Sequence, residues 1–374
     1  SVTMHVRGDT GVEVSSRCLA GRTVLFAVSG GIAAVESVKL ARELRRHGAS
    51  IVTMMTSSAE RVITPLALSW GSGTDVLTDW DPEMAQLDGF DGVLLAPATR
   101  NTIAKHIHGI IDSPVMMALS AARGNGTPLL FVPSMHDDLF DDPVTGELID
   151  ALEADGASVL VDDSSEDRRK QPDAITIVAK FCNILNKELD NRRRIAITLG
   201  ANRAPIDAVR AIQNASSGQT GWAIAEHLHR MGHDIICIAG KTSASPSFLL
   251  PDVRRDGTPD GMLSVSLEVA NAENKPEAWI HAAAVLDYYA PPEERKRASG
   301  EESWELTLSP GPKHIAKLSP LVGKSIRIGF KLEVGVSETV LVERAMEQIA
   351  TYGVDAVVAN LMGEARDENT PRCR

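Results

Sequence analysis

The sequence predicts an α/β fold built from two doubly wound, Rossmann-like domains. Short, continuously apolar segments that suit buried strands, such as TVLFAVS at 23–29, alternate with segments whose apolar residues recur at helical spacing. Strands that are apolar on both faces are typical of a parallel sheet covered by helices on both sides. The alternation breaks in a charged stretch and starts again near Arg194, which indicates a second domain of the same class.

Length and composition fit two globular domains. The chain has 374 residues, of which 43% are hydrophobic, and a formal net charge of −12. This length exceeds one ordinary core, and the acidic balance argues against a nucleic-acid surface because phosphate backbones select basic faces. Four scattered cysteines without a CxxC pair suggest reduced thiols in a cytoplasmic protein and no cysteine metal site. No apolar run approaches the ~18 residues of a membrane span, so we expect no membrane partner.

We expect a polar lead-in at 1–20, a first domain at 21–189 and a second domain at 190–374. In the first domain the predicted strands are TVLFAVS, SIVTMMT, GVLLAPA, PLLFVPS and SVLVDD, with helices at 33–47, from Asn101, at 146–155 and at 174–189. In the second domain they are RIAITLG, DIICIAG, LSVSLEV, AWIHAAAV, RIGFKLE and DAVVANL, with a helix at 222–231 and another before DAVVANL. The polar segment 291–303 lacks periodicity, and long irregular segments inside compact domains are often functional lids.

Small and polar residues follow several strands of the first domain. They are Ser29, Gly30, Gly31 and Ile32, then Thr56 and Ser58, then Ala96, Thr99 and Asn101, and finally His136. The glycines permit close backbone approach, a helix N-terminus favours an anion, and loops at the carboxyl edge of a parallel sheet converge on one crevice. Without a GxGxxG fingerprint and a ribose-binding acid, a mononucleotide such as FMN fits better than NAD. An ordinary strand–helix turn is an equally open interpretation of SGGIAA alone.

The stretch 194–221 repeats this design in the second domain. Its apolar run ends at Gly200, and a loop containing Asp207 leads to Asn214, Ser216, Ser217 and Gly218 before a helix. Main-chain N–H groups, hydroxyls and a helix N-terminus side by side suit a phosphate or an acyl-phosphate. The alternative is that Asn214 only caps the helix.

These motifs occur together in one known family. SGGIAA, MTSSAERVITP, APATRNTIAKHIHGIID and VPSMH, followed by TLGANRAPIDAVRAIQNASSG and AAAVLDYYAP, stand in order between Thr23 and Asn360. In this combination the chain resembles the bifunctional coenzyme A biosynthesis proteins, which fuse phosphopantothenoylcysteine decarboxylase to phosphopantothenate–cysteine ligase, and in particular archaeal-type members. The ordered set is far more specific than any single motif.

The resemblance implies a flavodoxin-like flavin domain followed by a ligase domain. FMN would lie along 29–32, Thr56 and Ser58, with Thr99 and Asn101 close to its ring and Ala96 nearby. In the family, the flavin accepts electrons from the cysteine moiety of the substrate, and carbon dioxide leaves from a thioaldehyde-like intermediate.

Three departures from the family pattern concern the flavin domain. Glu83 occupies the position of a family histidine, and His136 replaces the asparagine of PAMN. The segment DDSSEDRRKQPD has no cysteine where the family carries one, and Cys182 on the next helix does not match the motif. Two interpretations stay open. Either His136 contacts the substrate carboxylate and another group replaces the cysteine, or the domain binds FMN without decarboxylating.

In the second half the resemblance assigns Asn214 to the acyl-nucleotide intermediate. It assigns Lys296, in ERKRASG, to a mobile cation over the triphosphate, although ungapped counting from Asp287 favours Arg297. The residues expected to border the nucleotide are Gly200, Ser216, Ser217, Gly218, Ala282, Ala283, Asp287, Lys313, His314, Ile315, Phe330 and Lys331. Gln348 and Tyr352 occupy the positions where the family carries lysines for phosphate contacts. Lys313 or Lys331 would compensate for these missing lysines.

The implied activity joins 4′-phosphopantothenate to cysteine and then decarboxylates the product to 4′-phosphopantetheine. CTP is the usual nucleotide of the family and ATP the alternative, and Mg²⁺ is expected with either because the triphosphate charge needs neutralising. No all-protein metal site is visible. A homo-oligomer, a dodecamer in the family, is implied. The alternatives are an active ligase with a silent flavin domain, and a flavin-binding regulatory or scaffold subunit.

Overall fold

The computed structural model describes residues 10–82, 89–162 and 170–363. Two compact units are present: Ser1–Leu189 with Arg230–Gly232, and Asp190–His229 with His233–Arg374. Each contains a six-stranded, wholly parallel sheet that is covered by helices, so the predicted α/β fold class is confirmed. In the described residues, none of the helices is both long and apolar enough to cross a membrane.

The first unit has the sheet order β3-β2-β1-β4-β5-β6. Its strands are β1 Thr23–Val28, β2 Ser50–Met55, β3 Val76–Leu77, β4 Gly92–Ala98, β5 Leu129–Pro133 and β6 Ser158–Val159. Its α-helices are α1 Ser37–Arg46, α2 Pro65–Ser72, α3 Arg100–Ile107, α4 Pro114–Asn125, α5 Asp137–Asp141, α6 Pro143–Ala154 and α7 Ala174–Asn186, with 3-10 helices at Ile32–Glu36 and Ala59–Arg61. Apart from the two-residue edge strand β3, this is the flavodoxin-like order, with its switch point between β1 and β4.

Strand β1 shows why the sheet is covered on both faces. Phe26 and its neighbours two residues away pack into a core with α1 and α7, whereas Leu25 and Ala27 pack into a second core with α3, α4 and α6. Both sets of side chains are fully buried, as expected from the alternation of side chains along a strand. The continuous apolar run therefore marks a central strand of a doubly wound sheet.

The predicted polar lead-in belongs to the first unit from Thr10 onwards. The Arg45 guanidinium donates to the carbonyl oxygen of Thr10 at 2.7 Å, and the Ser15 N–H donates to that of Arg46 at 2.8 Å. Leu19 is fully buried in the core beside α1. This segment is therefore fastened to the C-terminal end of α1.

The second unit has the sheet order β11-β10-β7-β12-β15-β16. These strands are β7 Arg194–Leu199, β10 Asp234–Ala239, β11 Val253–Arg255, β12 Ala278–His281, β15 Ile326–Glu333 and β16 Ala356–Leu361. Two small antiparallel pairs join β8 Arg203–Pro205 to β9 Ala211–Gln213 and β13 Tyr288–Tyr289 to β14 Ser309–Pro310, and the helices are α8 Gln219–Arg230, α9 Pro259–Asn271, α10 His314–Val322 and α11 Glu338–Tyr352. The order is that of the Rossmann fold, with its switch point between β7 and β12.

Two local predictions were wrong. LSVSLEV (263–269), predicted as a strand, lies inside helix α9, whose buried residues Met262, Ser266 and Val269 follow helical spacing. The helix start was readable in the sequence, since Thr258 caps the N-terminus by accepting from the Gly261 N–H and a proline follows it directly. The single helix predicted at 33–47 is a 3-10 turn followed by α1.

Candidate functional site

The first unit has a cavity of about 670 Å³ at the carboxyl edge of its sheet, where the loops after β1, β4 and β5 meet. The lining residues are Gly30, Gly31, Ile32, Thr99, Arg100, Asn101, Ala104, Ser134, Met135, His136, Asp137, Leu139 and Lys170. Six of the predicted site residues therefore meet in one place, although they come from three loops. The volume is in the ordinary range for a small-molecule site, ~300–1,000 Å³.

Four other predicted residues, which do not line the cavity, lie in or next to the loops that form it. The Ser29 hydroxyl donates to the carbonyl oxygen of Pro97 at 2.6 Å and accepts from the Thr99 N–H at 2.9 Å, so it ties β1 to the loop after β4. Ala96 is fully buried in the core. Thr56 Oγ1 accepts from the Ala59 N–H at 3.2 Å and holds the turn that contains Ser58.

The turn at Ser58 lies directly against Gly30. A methyl group on Gly30 would lie 2.4 Å from the Ser58 Cβ atom and 2.9 Å from its carbonyl carbon, so only glycine fits there. At Gly31 the nearest atom to an added methyl is 3.5 Å away, which is ordinary contact. The glycine pair therefore has two separate uses: Gly30 closes the packing between two loops, and Gly31 leaves backbone open at the cavity.

Helix α3 begins at the cavity. Thr99 caps its N-terminus by accepting from the Thr102 N–H at 3.3 Å, and Asn101 is exposed in the first turn. His136 precedes the short helix α5 and makes no side-chain cap bond to it. The N-terminus of α3, Asn101 and His136 thus line one cavity, which suits an anionic ligand with polar ring atoms.

The second unit has a smaller cavity, about 200 Å³, near the carboxyl ends of β7, β12 and β15. It is lined by Thr198, Ser266, His281, Ala283, Val285, Asp287, Lys313, His314, Ile315, Leu318, Phe330, Lys331, Gln348 and Tyr352. Seven of the residues predicted to border the nucleotide line it. Gln348 and Tyr352, which replace two family lysines, also line it. Lys313 and Lys331, which were expected to compensate for the missing lysines, line the same cavity.

Two buried histidines are among the polar residues that line this cavity. The Nε2 atoms of His281 and His314 are buried and have no hydrogen-bond partner among the described residues. Burial, with smaller effects from Arg327 and His314, lowers the pKa of His281 to about 4, so its imidazole is neutral near pH 7. At the same cavity Lys313 pairs with Asp287. Sequence reasoning missed His281, because an apolar strand gives no sign that its last residue faces a cavity.

The remaining predicted ligase residues lie on the loops around β7. Gly200 and Gly218 both have a φ of +82°, and a methyl group on Gly218 would lie 3.6 Å from the Gly200 Cα atom and 2.6 Å from Thr242 Cγ2. Ser217 Oγ accepts from the Gln219 N–H at 3.2 Å, at the start of α8, while Ser216 is half-buried. Both glycine positions thus combine a left-handed backbone with close packing.

A buried asparagine links these loops. Asn202, fully buried, donates its main-chain N–H to Asn214 Oδ1 at 3.1 Å, and its own Oδ1 accepts from the Leu286 N–H at 3.1 Å. Ala282 follows β12, and its N–H donates to the Thr198 carbonyl oxygen at 3.0 Å. Asn202 was not predicted; its position two residues after Gly200 was the available signal. It joins the Asn214 loop to the segment that carries Asp287.

Residues 13–186 match the family model Flavoprotein, and residues 191–370 match the model for the DNA/pantothenate metabolism flavoprotein C-terminal domain. The chain is 34% identical over 354 residues to the coenzyme A biosynthesis bifunctional protein CoaBC of Thermococcus kodakarensis, covering 93% of this chain and 87% of that protein. The chain belongs to the CoaBC family. It is also 30% identical over 364 residues to the Escherichia coli K12 member, covering 91% of this chain and 86% of that protein.

The solved structure of a CoaBC C-terminal domain aligns with 46% of this chain and with 79% of the solved chain, at 28% sequence identity and a TM-score of 0.39. As a family member, the chain is a bifunctional enzyme of coenzyme A biosynthesis. Its first half is the phosphopantothenoylcysteine decarboxylase flavoprotein domain, and its second half is the phosphopantothenate–cysteine ligase domain.

The cysteines of this family member bear on the departures in its flavin half. Cys18, Cys182 and Cys237 are buried free thiols. Burial raises the pKa of each, to about 12 for Cys237, so none is poised to act as a thiolate or as an acid near pH 7. Glu83, the residue at the family histidine position, and Cys373 lie outside the described residues.

Proposed function

We propose that this family member is a homo-oligomeric cytoplasmic enzyme that ligates 4′-phosphopantothenate to cysteine with CTP and Mg²⁺, and then decarboxylates the product with FMN. The observation that supports both halves is the same. In each unit, residues that the family resemblance marks for one ligand, and that are far apart in sequence, line one cavity near the switch point of a parallel sheet.

The first cavity fits FMN. Its lining combines open backbone at Gly31, the N-terminus of α3 and an exposed Asn101, which match a phosphate at one end and a polar ring at the other. Once bound, FMN would supply the redox chemistry that a protein side chain lacks. His136 would bind and orient the substrate carboxylate from the loop after β5.

In the ligase half, Asn214 would donate its side-chain N–H to the acyl-phosphate oxygen while its Oδ1 stays bonded to Asn202. Lys313 and Lys331 would neutralise phosphate charge at the cavity, and Lys296 would add a further cation from the exposed segment 291–303. Asp287 would hold a ribose hydroxyl or a Mg²⁺-bound phosphate. Mg²⁺ would reduce the charge repulsion that the triphosphate otherwise presents to the attacking carboxylate.

The choice of CTP over ATP follows the family resemblance, and the second cavity has room for the base. About 200 Å³ is below the ~300–1,000 Å³ of a typical site for a whole ligand, so it fits one base with part of its ribose. Neutral imidazoles of His281 and His314 can each donate or accept one hydrogen bond, which suits the polar edge of a single ring.

The test is incubation of the purified protein with phosphopantothenate, Mg²⁺ and either CTP or ATP, with cysteine added afterwards and products resolved by mass. We expect an acyl-cytidylate and pyrophosphate before cysteine is added, and a product lighter by carbon dioxide at the end. Absence of ligation with both nucleotides would contradict the ligase proposal, and equal rates with ATP would contradict the base preference.

The flavin half has a second candidate function, an FMN-binding domain that does not decarboxylate. The position of the described cysteines favours it, because Cys18, Cys182 and Cys237 are buried away from the lining of the cavity and none is placed to donate a proton there. Carbon dioxide release by the wild-type protein separates the two, and His136→Ala tests the role of His136: we expect FMN to stay bound and carbon dioxide release to stop. His108→Ala, exposed at the end of α3, is the matched control and should release carbon dioxide at the wild-type rate. A wild-type protein that binds FMN and releases none would establish the second candidate.

A further inference from the structure

The segment 291–303 is fastened to the turn that follows β8. Asp207 in that turn has a buried carboxylate, although it lies in a loop. Oδ1 accepts from the Val209 N–H at 2.8 Å and from the Arg210 N–H at 2.7 Å, which closes the turn. Oδ2 pairs with the Arg210 guanidinium and accepts from the Arg297 N–H at 3.2 Å, 90 residues away in sequence. Asp207 Oδ2 therefore binds the backbone of the segment 291–303.

The peptide groups on both sides of Arg297 are held. Its N–H donates to Asp207 and its carbonyl oxygen accepts from the Arg210 guanidinium at 3.3 Å. A further main-chain bond joins the Glu293 N–H to the Ile206 carbonyl oxygen at 2.9 Å. One carboxylate and one guanidinium thus clamp the backbone of a segment that has no helix or strand of its own.

Trp304 adds a side-chain contact to this clamp. Its ring lies 5.5 Å from the Arg210 guanidinium carbon and 4.9 Å from that of Arg297, so it stacks with both cations. The Arg297 guanidinium also faces Glu293 at 3.4 Å and Glu301 at 3.5 Å. Arg297 is therefore occupied by structural contacts. Its neighbour Lys296 is exposed.

We infer that Asp207 is a positioning residue for Lys296 in the ligation reaction, with Arg210 and Trp304 completing the clamp. This inference rests on the proposed role of Lys296 at the triphosphate. Consecutive Cα atoms are about 3.8 Å apart, so fixing the backbone at 297 confines the origin of the Lys296 side chain and leaves its ammonium free to move. The turn that contains Asp207 continues through β9 to Asn214. The clamp therefore positions Lys296 relative to the loop that we propose binds the acyl group.

The clamp also decides between the two cations that the sequence left open. Arg297 is the residue at the ungapped family position, but its backbone and side chain hold the segment in place. Lys296 is then the cation that can reach the phosphates. Because Lys296 lies one residue from the fixed backbone of Arg297, its ammonium group can move while its Cα atom stays in a defined position.

A double-mutant cycle tests the inference. We expect Asp207→Asn to slow acyl-nucleotide formation by about tenfold to a hundredfold, because misplacement of a positioned group costs factors of this size. Lys296→Ala should slow it as well, and Asp207→Asn should then add less than about twofold in the Lys296→Ala background. Trp304→Leu, which leaves the Asp207 turn intact, should show a smaller loss with the same dependence on Lys296. Multiplicative losses in either cycle, or a wild-type rate for Asp207→Asn, would overturn the role.

Trypsin gives a readout that needs no catalysis. We expect faster cleavage after 295–297 in Asp207→Asn and Trp304→Leu than in wild type. Asp252→Asn, which removes a carboxylate paired with Arg254 elsewhere in this unit, should match wild type in both cleavage and rate. Unchanged cleavage in both clamp variants would contradict the clamp itself. Failure of wild type to ligate with any nucleotide would instead contradict the proposed function.

Discussion

Asn214 Oδ1 accepts the main-chain N–H of Asn202 at 3.1 Å, and the same N–H also donates to the carbonyl oxygen of Ala284 at 3.0 Å. Because the partner is a donor, this bond fixes the orientation of the Asn214 amide. The side-chain oxygen faces the protein, and the amide N–H₂ is left to donate outward. A donor that is held in place before the reaction is what stabilises a developing oxyanion.

Asn214→Asp should separate these two uses. Aspartate keeps the oxygen that accepts from Asn202, so the loop should keep its shape, but it replaces the outward donor with a negative charge. We expect ligation to slow by about 10²–10³, the usual cost of losing one such donor, with little change in thermal stability. Stopped-flow pyrophosphate release and product mass would measure it. A wild-type rate would show that Asn214 only holds its loop to Asn202.

The glycine pair of the flavin half allows a matched test. Gly30→Ala places a methyl 2.4 Å from the Ser58 Cβ atom and 2.9 Å from backbone, so one loop must move. We expect a loss of about 1–3 kcal/mol in the free energy of unfolding, as for other overpacked sites, together with loss of FMN. Denaturant unfolding and the flavin absorbance of the purified protein would measure both effects.

Gly31→Ala is the control for the fold, because its methyl meets nothing closer than 3.5 Å. Its stability should equal that of wild type. FMN affinity should nevertheless fall, since the methyl occupies space that the ligand needs at the cavity wall. Wild-type FMN affinity in Gly31→Ala would contradict the placement of the phosphate at this loop.

The sequence was enough to predict the fold class and about half of the residues that line each cavity. Parallel strands place their carboxyl ends at one edge, so SGGIAA, the Thr99 loop and His136 could be brought together without coordinates. For the second cavity, Asp287, Lys313 and Phe330 were predicted from the family resemblance. The convergence of loops on the first cavity is a consequence of chain direction in a sheet, which apolar alternation reveals.

Other features depend on contacts that no local pattern contains. LSVSLEV alternates like a strand, and only the cap at Thr258 distinguishes the helix. Asn202 bonds to Leu286, 84 residues away, and Asp207 bonds to Arg297, 90 residues away. Ser29 was expected to hold an anion, yet its hydroxyl is occupied by Pro97 and Thr99. Such pairings follow from tertiary packing, which periodicity does not encode.

Cys182 offers a test of how the flavin half works without the family cysteine. It is fully buried on α7, where burial raises the pKa of its thiol. We expect Cys182→Ala to keep FMN and the wild-type rate of carbon dioxide release, and to lose stability because a core cavity remains. Carbon dioxide release and thermal unfolding would measure these. Loss of decarboxylation in a folded, yellow variant would make Cys182 the missing group.

The contact between α1 and the N-terminal segment predicts a pH dependence. Glu43 and His47 lie one turn apart and are joined at 3.0 Å, and His47 Nδ1 meets the Ser16 hydroxyl at 2.6 Å. The hydrogen bond from His47 outweighs the opposing effect of burial and, with Arg46, holds the pKa of Glu43 below its ordinary value. The carboxylate is thus more stable in the folded chain than in the unfolded chain.

A lowered carboxyl pKa contributes stability above the unfolded value, about 4.3 for glutamate, and that contribution disappears as pH falls through the folded value. Glu43→Gln should therefore reduce the free energy of unfolding by about 1.5–3 kcal/mol at pH 7, the range for hydrogen bonds to charged groups. The difference from wild type should shrink below about pH 4.3. Denaturant unfolding of the first unit across this range would measure it, with Glu60→Gln, exposed in a 3-10 turn, as the control. A difference that stays constant with pH would mean that Glu43 contributes through packing and not through its charge.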